Sequence, residues 1–326
     1  MEGKKDKVII NLEECTGCGK CVSLCPANAL EMRAGGAFLA HPELCTQCGI
    51  CEDQCPSDAI SLGEDAVSLS KVQTIMEPPM PLPQLRQWTE EIVEALELQK
   101  PPLGVKMLAP GESPPEGFNE LDASMRHCVS LHVASFRLAL SVPARRHACA
   151  AAKAAFGMAE LPEKVRSGKV PYMHGLASSE RAAARTMEEI PHLPLGSCSG
   201  TLVAPLSMFP FLPDVVILVA NPKQAMWVAN AMIYHEGGPR IQASFAGMQA
   251  SCADVTAIPF KTQQVNFSLG CYGCRSAGKL GDEEIYVGIP MAKVKSIVTG
   301  LKGLRRAMGK LERAATLGAP VQADRD

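Results

Sequence analysis

The chain carries no excess of charge of either sign: 32 basic residues against 34 acidic leave a formal charge of −2. That is no electrostatic footprint for nucleic acid, and no such partner is expected. Nucleotide loops are missing as well. No G-x-G-x-x-G follows a predicted strand and no G-x-x-x-x-G-K-[ST] occurs, so no short loop cradles phosphates at the start of a helix. A flavin site is untouched by that absence, because many leave no short motif. The opening residues, Met1 to Asp6, have no apolar core that would act as a secretory signal. The longest apolar stretch, residues 201–220, contains Pro205, Pro210, Pro213 and Asp214, which would break a spanning helix and place a charge in lipid. Two core strands around a proline-rich turn are predicted there, and no membrane partner. No acid–base pair or nucleophilic triad stands out. These exclusions leave a cytoplasmic protein whose chemistry must come from elsewhere.

What the sequence does have is cysteine, fourteen in 326 residues. The cytoplasm keeps thiols reduced, so metal ligation is the expected use, and ligation this dense suits an anaerobic or microaerobic cell. Eight of the fourteen fall in two runs, Cys15-Thr-Gly-Cys18-Gly-Lys-Cys21-Val-Ser-Leu-Cys25-Pro26 and Cys45-Thr-Gln-Cys48-Gly-Ile-Cys51-Glu-Asp-Gln-Cys55-Pro56. Each is C-x2-C-x2-C-x3-C-P. Three thiolates at this spacing wrap three corners of a cubane, while the fourth, carried off by its proline, ligates the other cluster. Cys15, Cys18, Cys21 and Cys55 are therefore assigned to one [4Fe–4S] cluster, and Cys45, Cys48, Cys51 and Cys25 to a second. Gly17, Gly19 and Gly49 fit loops where backbone must approach sulfide closely. Ile9, Ile10, Leu24, Leu30, Ile50 and Ile60 are available to keep water away. Structural zinc also uses paired C-x2-C, yet eight cysteines in two proline-closed runs exceed what it requires. Over residues 7–62 the sequence resembles the two-cluster bacterial ferredoxins, which implies an α+β dicluster fold.

The organisation follows from this head. Residues 1–62 hold nine acidic against five basic side chains. Residues 63–84 end in Glu77-Pro-Pro-Met-Pro-Leu-Pro83, a stiff extended spacer. Residues 85–313 read as an α/β domain, a mixed sheet with helices, and 314–326 as a disordered tail. An amphipathic helix is predicted from Trp88 to Leu98. A strand follows over Pro101–Leu108, then a helix capped by Asp122 and running to Phe136. Ala144–Met158 and Ser178–Glu189 read as helices, and Thr201–Leu206, Val215–Ala220, Val265–Leu269 and Glu284–Ile289 as strands. Asn221-Pro222 opens a helix as an N-cap and N1 pair. A long helix from Met291 has Val294, Ile297, Val298, Leu301, Leu304, Met308 and Leu311 on one side and a basic stripe on the other. That stripe reads as a solvated surface in preference to a docking face.

Six cysteines lie outside the head: Cys128, Cys149, Cys198, Cys252, Cys271 and Cys274. Cys271-Tyr-Gly-Cys274-Arg275 on a glycine-rich turn is a ligand pair for zinc or an iron–sulfur cluster, or a redox dithiol. Cys128 and His132, spaced i and i+4, share a helix face and are candidate further ligands. Cys252 sits among small residues that allow close approach. Cys149 and Cys198, taken singly, read as small buried hydrophobes, and His127, His147 and His174 as ordinary core or surface residues. From Trp88 to about Leu304 the chain also resembles a conserved archaeal and anaerobic-bacterial domain family of unknown function. The matching pieces are Pro101-Pro-Leu-Gly-Val-Lys106, Arg126-His-Cys128, Gly247-Met-Gln with Cys252, and Ser268-Leu-Gly-Cys271-Tyr-Gly-Cys274-Arg275. The resemblance implies one site built from Lys106, Cys128, Cys252, Cys271, Gly273 and Arg275.

These features predict an iron–sulfur reductase or electron-transfer enzyme. Two clusters act as a wire to a centre held by Cys128, Cys252, Cys271 and Cys274, with Cys149 as substitute ligand. That centre is either a third cluster or zinc. Lys106 and Arg275 are the candidate catalytic cations beside a small anionic or polarised substrate. The competing readings are an adaptor docking on a larger oxidoreductase and a maturation factor using Cys271 and Cys274 as a transfer pair.

Overall fold

A computed structural model describes residues 8–25, 28–33, 36–42, 44–45, 50–62, 82–122, 124–235, 237–238, 241–245 and 250–316. Cys48, Gly49, Gly247 to Gln249, most of the proline-rich spacer and residues 317–326 lie outside that set.

The head is a doubled unit. Strand β1 (Val8–Ile10) pairs antiparallel with β4 (Ile60–Leu62), and β2 (Leu30–Arg33) with β3 (Gly36–Leu39). Helices α1 (Lys20–Leu24) and α2 (Ile50–Asp53) lie between them in sequence. The repeat extends to the turns after each proline-closed run. Asn28 and Asp58 both adopt left-handed backbone, φ 51° and 50°, and each N–H returns to the carbonyl of its cysteine, Cys25 or Cys55. Asn and Asp tolerate that conformation better than other side chains. Val8, Ala29, Leu30, Ala37 and Ile60 form the small core with Cys21, Cys25 and Cys51. Ile9, expected to help exclude water, is 53% exposed instead, because β1 alternates and turns Val8 inward.

Among the described residues the second domain is built on one sheet of six strands, ordered β6-β7-β5-β8-β10-β9, and every paired neighbour is antiparallel. The strands are β5 (Leu103–Leu108), β6 (Leu140–Pro143), β7 (Gly200–Pro205), β8 (Val215–Ala220), β9 (Asn266–Ser268) and β10 (Ile285–Pro290). Two isolated parallel bridges, Asn119 to Leu140 and Met125 to His147, add a parallel component beside β6. The apolar strands are buried on both sides, which is why their sequences run without polar alternation. Leu108, Leu202, Ala204, Val216, Leu218, Val287 and Ile289 face one layer. Its helices are α3 (Pro83–Leu96), α9 (Pro222–Ile233) and α12 (Met291–Thr316). Leu103, Val105, Val203, Val215, Ile217 and Tyr286 face the other layer. There α4 (His127–Ala134) and a π-helical turn, Ala253–Ala257, cover the sheet. Close packing is enforced at Gly104, where a Cβ would meet the Phe209 ring at 2.5 Å. Smaller helices complete the domain: α5 (Ala150–Ala155), α6 (Glu163–Arg166), α7 (Lys169–Met173), α8 (Glu180–Glu188), α10 (Ile258–Thr262) and α11 (Tyr272–Ser276).

Several predicted boundaries move, each for a local reason. Helix α3 begins at Pro83, a proline at N1, so the spacer ends earlier than its proline content suggested. Asp122 does not cap α4; its carboxylate binds Arg146 and the helix starts at His127. Residues 144–158 are not one helix. Met125 N–H donates to the Arg146 carbonyl and Ala148 N–H to the Met125 carbonyl, and this bridge delays α5 until Ala150. Asn221 and Gln224 form a complete capping box at the start of α9. The stretch at 201–220 is two strands joined through a 3-10 turn, and among the described residues no helix is long and apolar enough to cross a membrane. The basic stripe of α12 is partly used within the molecule: Lys302 pairs with Glu91, and Arg305 with Glu94 and Glu97, tying α12 to α3. Helix α12 runs to Thr316, three residues into the predicted tail.

Candidate functional site

Cys15, Cys18, Cys21 and Cys55 share one electrostatic neighbourhood. The Cys21 thiol is pushed up by burial and by the other three cysteines, against the pull of the Val22 backbone N–H. Cys25, Cys45 and Cys51 lie together in the head's small core, and the fourth member of their set, Cys48, is outside the described residues. Both proline-borne cysteines accept backbone hydrogen bonds at sulfur. Ala29 N–H donates to Cys25 Sγ at 3.3 Å. Burial opposes ionisation of Cys55, yet the backbone N–H groups of Ser57 and Ala59 and the Ser57 hydroxyl bring its thiol below the ordinary value. Gly17 and Gly19 take positive φ in the first loop, and a Cβ at Gly36 would approach Cys15 Sγ to 3.0 Å. All-thiol donors, N–H bonds to sulfur and glycine-lined loops fit an iron–sulfur group.

The second domain gathers five of its six cysteines on one side of the sheet. Cys271 Sγ lies 3.5 Å from Cys274 Sγ. Cys274 hydrogen-bonds in turn with Cys128, whose Sγ lies 3.6 Å from the Gly273 carbonyl. Cys252 senses Cys149, Cys271 and Cys274. The positions come from element ends: Cys149, Cys252 and Cys271 occupy the N-cap positions of α5, the π-helical turn and α11. Backbones close tightly around them, since a Cβ at Gly278 would sit 2.8 Å from Cys128 Cβ. Cys271 is held up first by its bond to Cys274 and then by burial. Cys274 is pushed up to about 12, first by its bond to Cys128, and Cys252 is raised by burial. Thiols so placed cannot ionise together unless a cation compensates them. Among the described residues no three His, Cys, Asp or Glu side chains surround a point that a single ion would occupy, in the head or here.

The structure sorts the other candidates. Lys106 does not join the cysteines. Strand alternation sends it to the opposite side of β5 from Leu103 and Val105, where Nζ lies 3.2 Å from Asp214 Oδ1. Asp214 also accepts from the Met107 N–H, so the pair braces the sheet. Arg275 follows Cys274 but turns away, its guanidinium donating to the carbonyls of Leu269 and Gly281. The cation beside the loop is Arg126, whose Nη1 lies 3.5 Å from the position of a Cβ at Gly273. Tyr286 is buried against Cys274, Cys128 and Cys271. Neither was assigned a role from the sequence, although Arg126 stands two residues before Cys128 in one of the matching pieces and strand alternation in β10 separates Tyr286 from Val287. Cys149 packs beside Cys252 and helps raise its thiol, while Cys198 sits in the same apolar cluster with its Sγ donating to the Gly200 carbonyl at 3.1 Å. His127 and His147 are core residues, bonded to Thr256 and Thr201 and held neutral by burial.

His132 does not complete the cysteine group either. One turn along α4 from Cys128, its Nε2 lies 3.4 Å from the Leu24 carbonyl of the head. A carbonyl can only accept, so Nε2 carries the proton. Two further contacts join the head to the second domain. Lys279 Nζ donates to Asn28 Oδ1 at 2.7 Å. Ile50, fully buried, belongs to the apolar cluster of Leu103, Val105, Cys128, Leu131, Cys274 and Leu280. The cysteine-rich side of the second domain therefore faces the head.

Residues 91–300 match the family DUF169, described as uncharacterised ArCR, and residues 14–60 match a 4Fe-4S dicluster domain. The chain is 32% identical over 229 residues to the uncharacterized protein MJ0308 of Methanocaldococcus jannaschii, covering 70% of this chain and 97% of that protein. The head is thus a 4Fe-4S dicluster domain, a carrier of electrons.

Proposed function

The chain belongs to the DUF169 family, here joined to a 4Fe-4S dicluster domain, and from that premise we propose that it is a cytoplasmic iron–sulfur oxidoreductase. In this reading the head exchanges electrons with a cysteine-ligated centre in the second domain, and that centre acts on a small substrate. The observation that carries it is the gathering of Cys128, Cys252, Cys271 and Cys274, with Cys149 alongside, on the side of the sheet that faces the head. A carrier fused to a domain with no acceptor would have no use for that arrangement. The four cysteines would hold a third cluster, whose chemistry is one-electron exchange.

This chain's residues then have distinct roles. Buried Cys128, Cys274 and Tyr286 close the inner side from water. Cys271 is partly accessible and Tyr272 is 69% exposed, which leaves an approach from that side. Arg126, in preference to Lys106 or Arg275, is the cation placed to attract an anionic or polarised substrate.

Iron and acid-labile sulfide per chain, measured on anaerobically purified protein, test the reading. About twelve irons should fall to about eight in the Cys271→Ser, Cys274→Ser protein, since each cubane holds four. Eight irons in both proteins would remove the third cluster. The 3.5 Å sulfur pair of Cys271 and Cys274 would then favour the maturation reading, with a titratable dithiol as its mark.

A further inference from the structure

The two head clusters are not equivalent in this structure. Each set has a buried cysteine, Cys21 in the first (Cys15, Cys18, Cys21 and Cys55) and Cys25 in the second, and what separates them is contact with the second domain. The residues on either side of Cys25 touch that domain: Leu24 through His132, Asn28 through Lys279. Ile50, the buried anchor in the second domain's core, immediately precedes Cys51 of that same set. Each bridging residue also leads back to a cysteine of the second domain. His132 lies one helical turn from Cys128 on α4. Lys279 lies five residues beyond Cys274, on a loop closed by two backbone hydrogen bonds, Gly278 N–H to the Gly273 carbonyl and Leu280 N–H to the Cys274 carbonyl, both 3.0 Å. Gly278 is pressed against Cys128, and Lys279 itself holds a left-handed φ of 51°, which a lysine adopts only under local constraint.

We infer that the cluster held by Cys25, Cys45, Cys48 and Cys51 is the inner one, through which electrons pass between head and second domain, and that the Lys279 ammonium raises its reduction potential. The physical ground is charge. Reduction adds an electron to an anionic thiolate cluster, and a nearby fixed cation stabilises the reduced form more than the oxidised one. Lys279 Nζ is held at 2.7 Å on Asn28, whose N–H bonds the Cys25 carbonyl, so the ammonium sits beside the turn that carries Cys25, and its partly buried setting screens a charge there less than open water would. Lys279 is thus a positioning and tuning residue. The inference takes its purpose from the proposed function, but its test concerns the head clusters alone. An iron count of eight would remove the third cluster and leave this result standing.

Potentiometric titration of the full chain, followed by electron paramagnetic resonance, decides it. The steps are assigned with Cys18→Ser, which alters the outer cluster, and any third-centre step by its loss in Cys271→Ser, Cys274→Ser. Lys279→Gln keeps a donor for Asn28 but removes the charge. It should move to lower potential the head step that Cys18→Ser leaves intact, with the other head step unmoved, and Lys279→Arg should restore it. Steps that stay in place, or that move together, overturn the inference. So does loss of iron in Lys279→Gln but not in Lys279→Arg, which would give Lys279 a structural role only.

Discussion

Ile50→Asp should release the head from the second domain while leaving the head's own clusters in place. Ile50 is fully buried, yet it is absent from the head's core and present in the apolar cluster of the second domain. Its burial therefore stabilises docking and contributes little to the fold of the head. Losing that side chain from an apolar site costs roughly 1.5–3 kcal/mol. An unpaired carboxylate left in the same place adds about 3–5 kcal/mol. The sum corresponds to a docking equilibrium weakened by well over a hundredfold. The His132 to Leu24 and Lys279 to Asn28 contacts cannot offset it, because a typical hydrogen bond contributes only about 1 kcal/mol net. Hydrogen exchange checks this. Amides of α4 near His132 and of the 278–280 loop should exchange far faster in Ile50→Asp than in the parent, while iron bound to the head stays constant. Ile50→Val, which keeps the apolar contact, should stay within about 1.5 kcal/mol of the parent. Unchanged protection in Ile50→Asp, with iron intact, would mean the two domains are not held together at this residue.

The sequence made some of this visible and hid the rest, for physical reasons that differ by residue. The head's cysteines were legible because a cubane imposes its spacing on a local segment, and the i, i+3, i+6 pattern survives without any tertiary information. The strands of the second domain were legible for a similar reason: runs such as Val215–Ala220 are buried on both faces and carry no competing signal. The gathering of Cys128, Cys252 and Cys274 was only half legible. Cys271 and Cys274 declare themselves by spacing, but Cys149 reads as a small core residue until α5 and the π-helical turn bring it to Cys252. Lys106 and Arg275 were misjudged because residue type and neighbourhood in sequence say nothing about side-chain direction. A single alternation on β5 takes Lys106 to Asp214, and the α11 turn leaves Arg275 bonded to two carbonyls. His132 was assigned to the correct helix face but the wrong partner, since the identity of that partner is a property of domain docking.

Acid should loosen the same contact, because His132 is neutral where it sits. Burial lowers its value from 6.5 to about 4, against the Leu24 carbonyl, which favours the protonated ring. The charged groups around it are Lys100 and Lys279, which oppose protonation, and Glu284, which favours it. Lys100 is itself paired with Glu284 at 2.7 Å, so the local balance remains positive. The sign follows from linkage. Once released to water, His132 takes up a proton below about pH 6.5, whereas docked it does so only near 4. The undocked or unfolded state therefore binds more protons throughout that window. Stability is fully present above pH 6.5 and is lost as pH falls towards 4, at about 1.4 kcal/mol per pH unit for one proton. Over the window the loss approaches roughly 3 kcal/mol, on the order of a hundredfold in the equilibrium. His132→Gln keeps a donor for Leu24 and has no titration of its own, so its stability curve should flatten over the same range. Denaturant midpoints recorded from pH 7.5 to 4.5 for the two proteins, with iron content monitored at each pH, measure the difference. Parallel curves would mean that the ring is already solvated in the folded protein, and that the contact between α4 and the head is not the one described by Leu24.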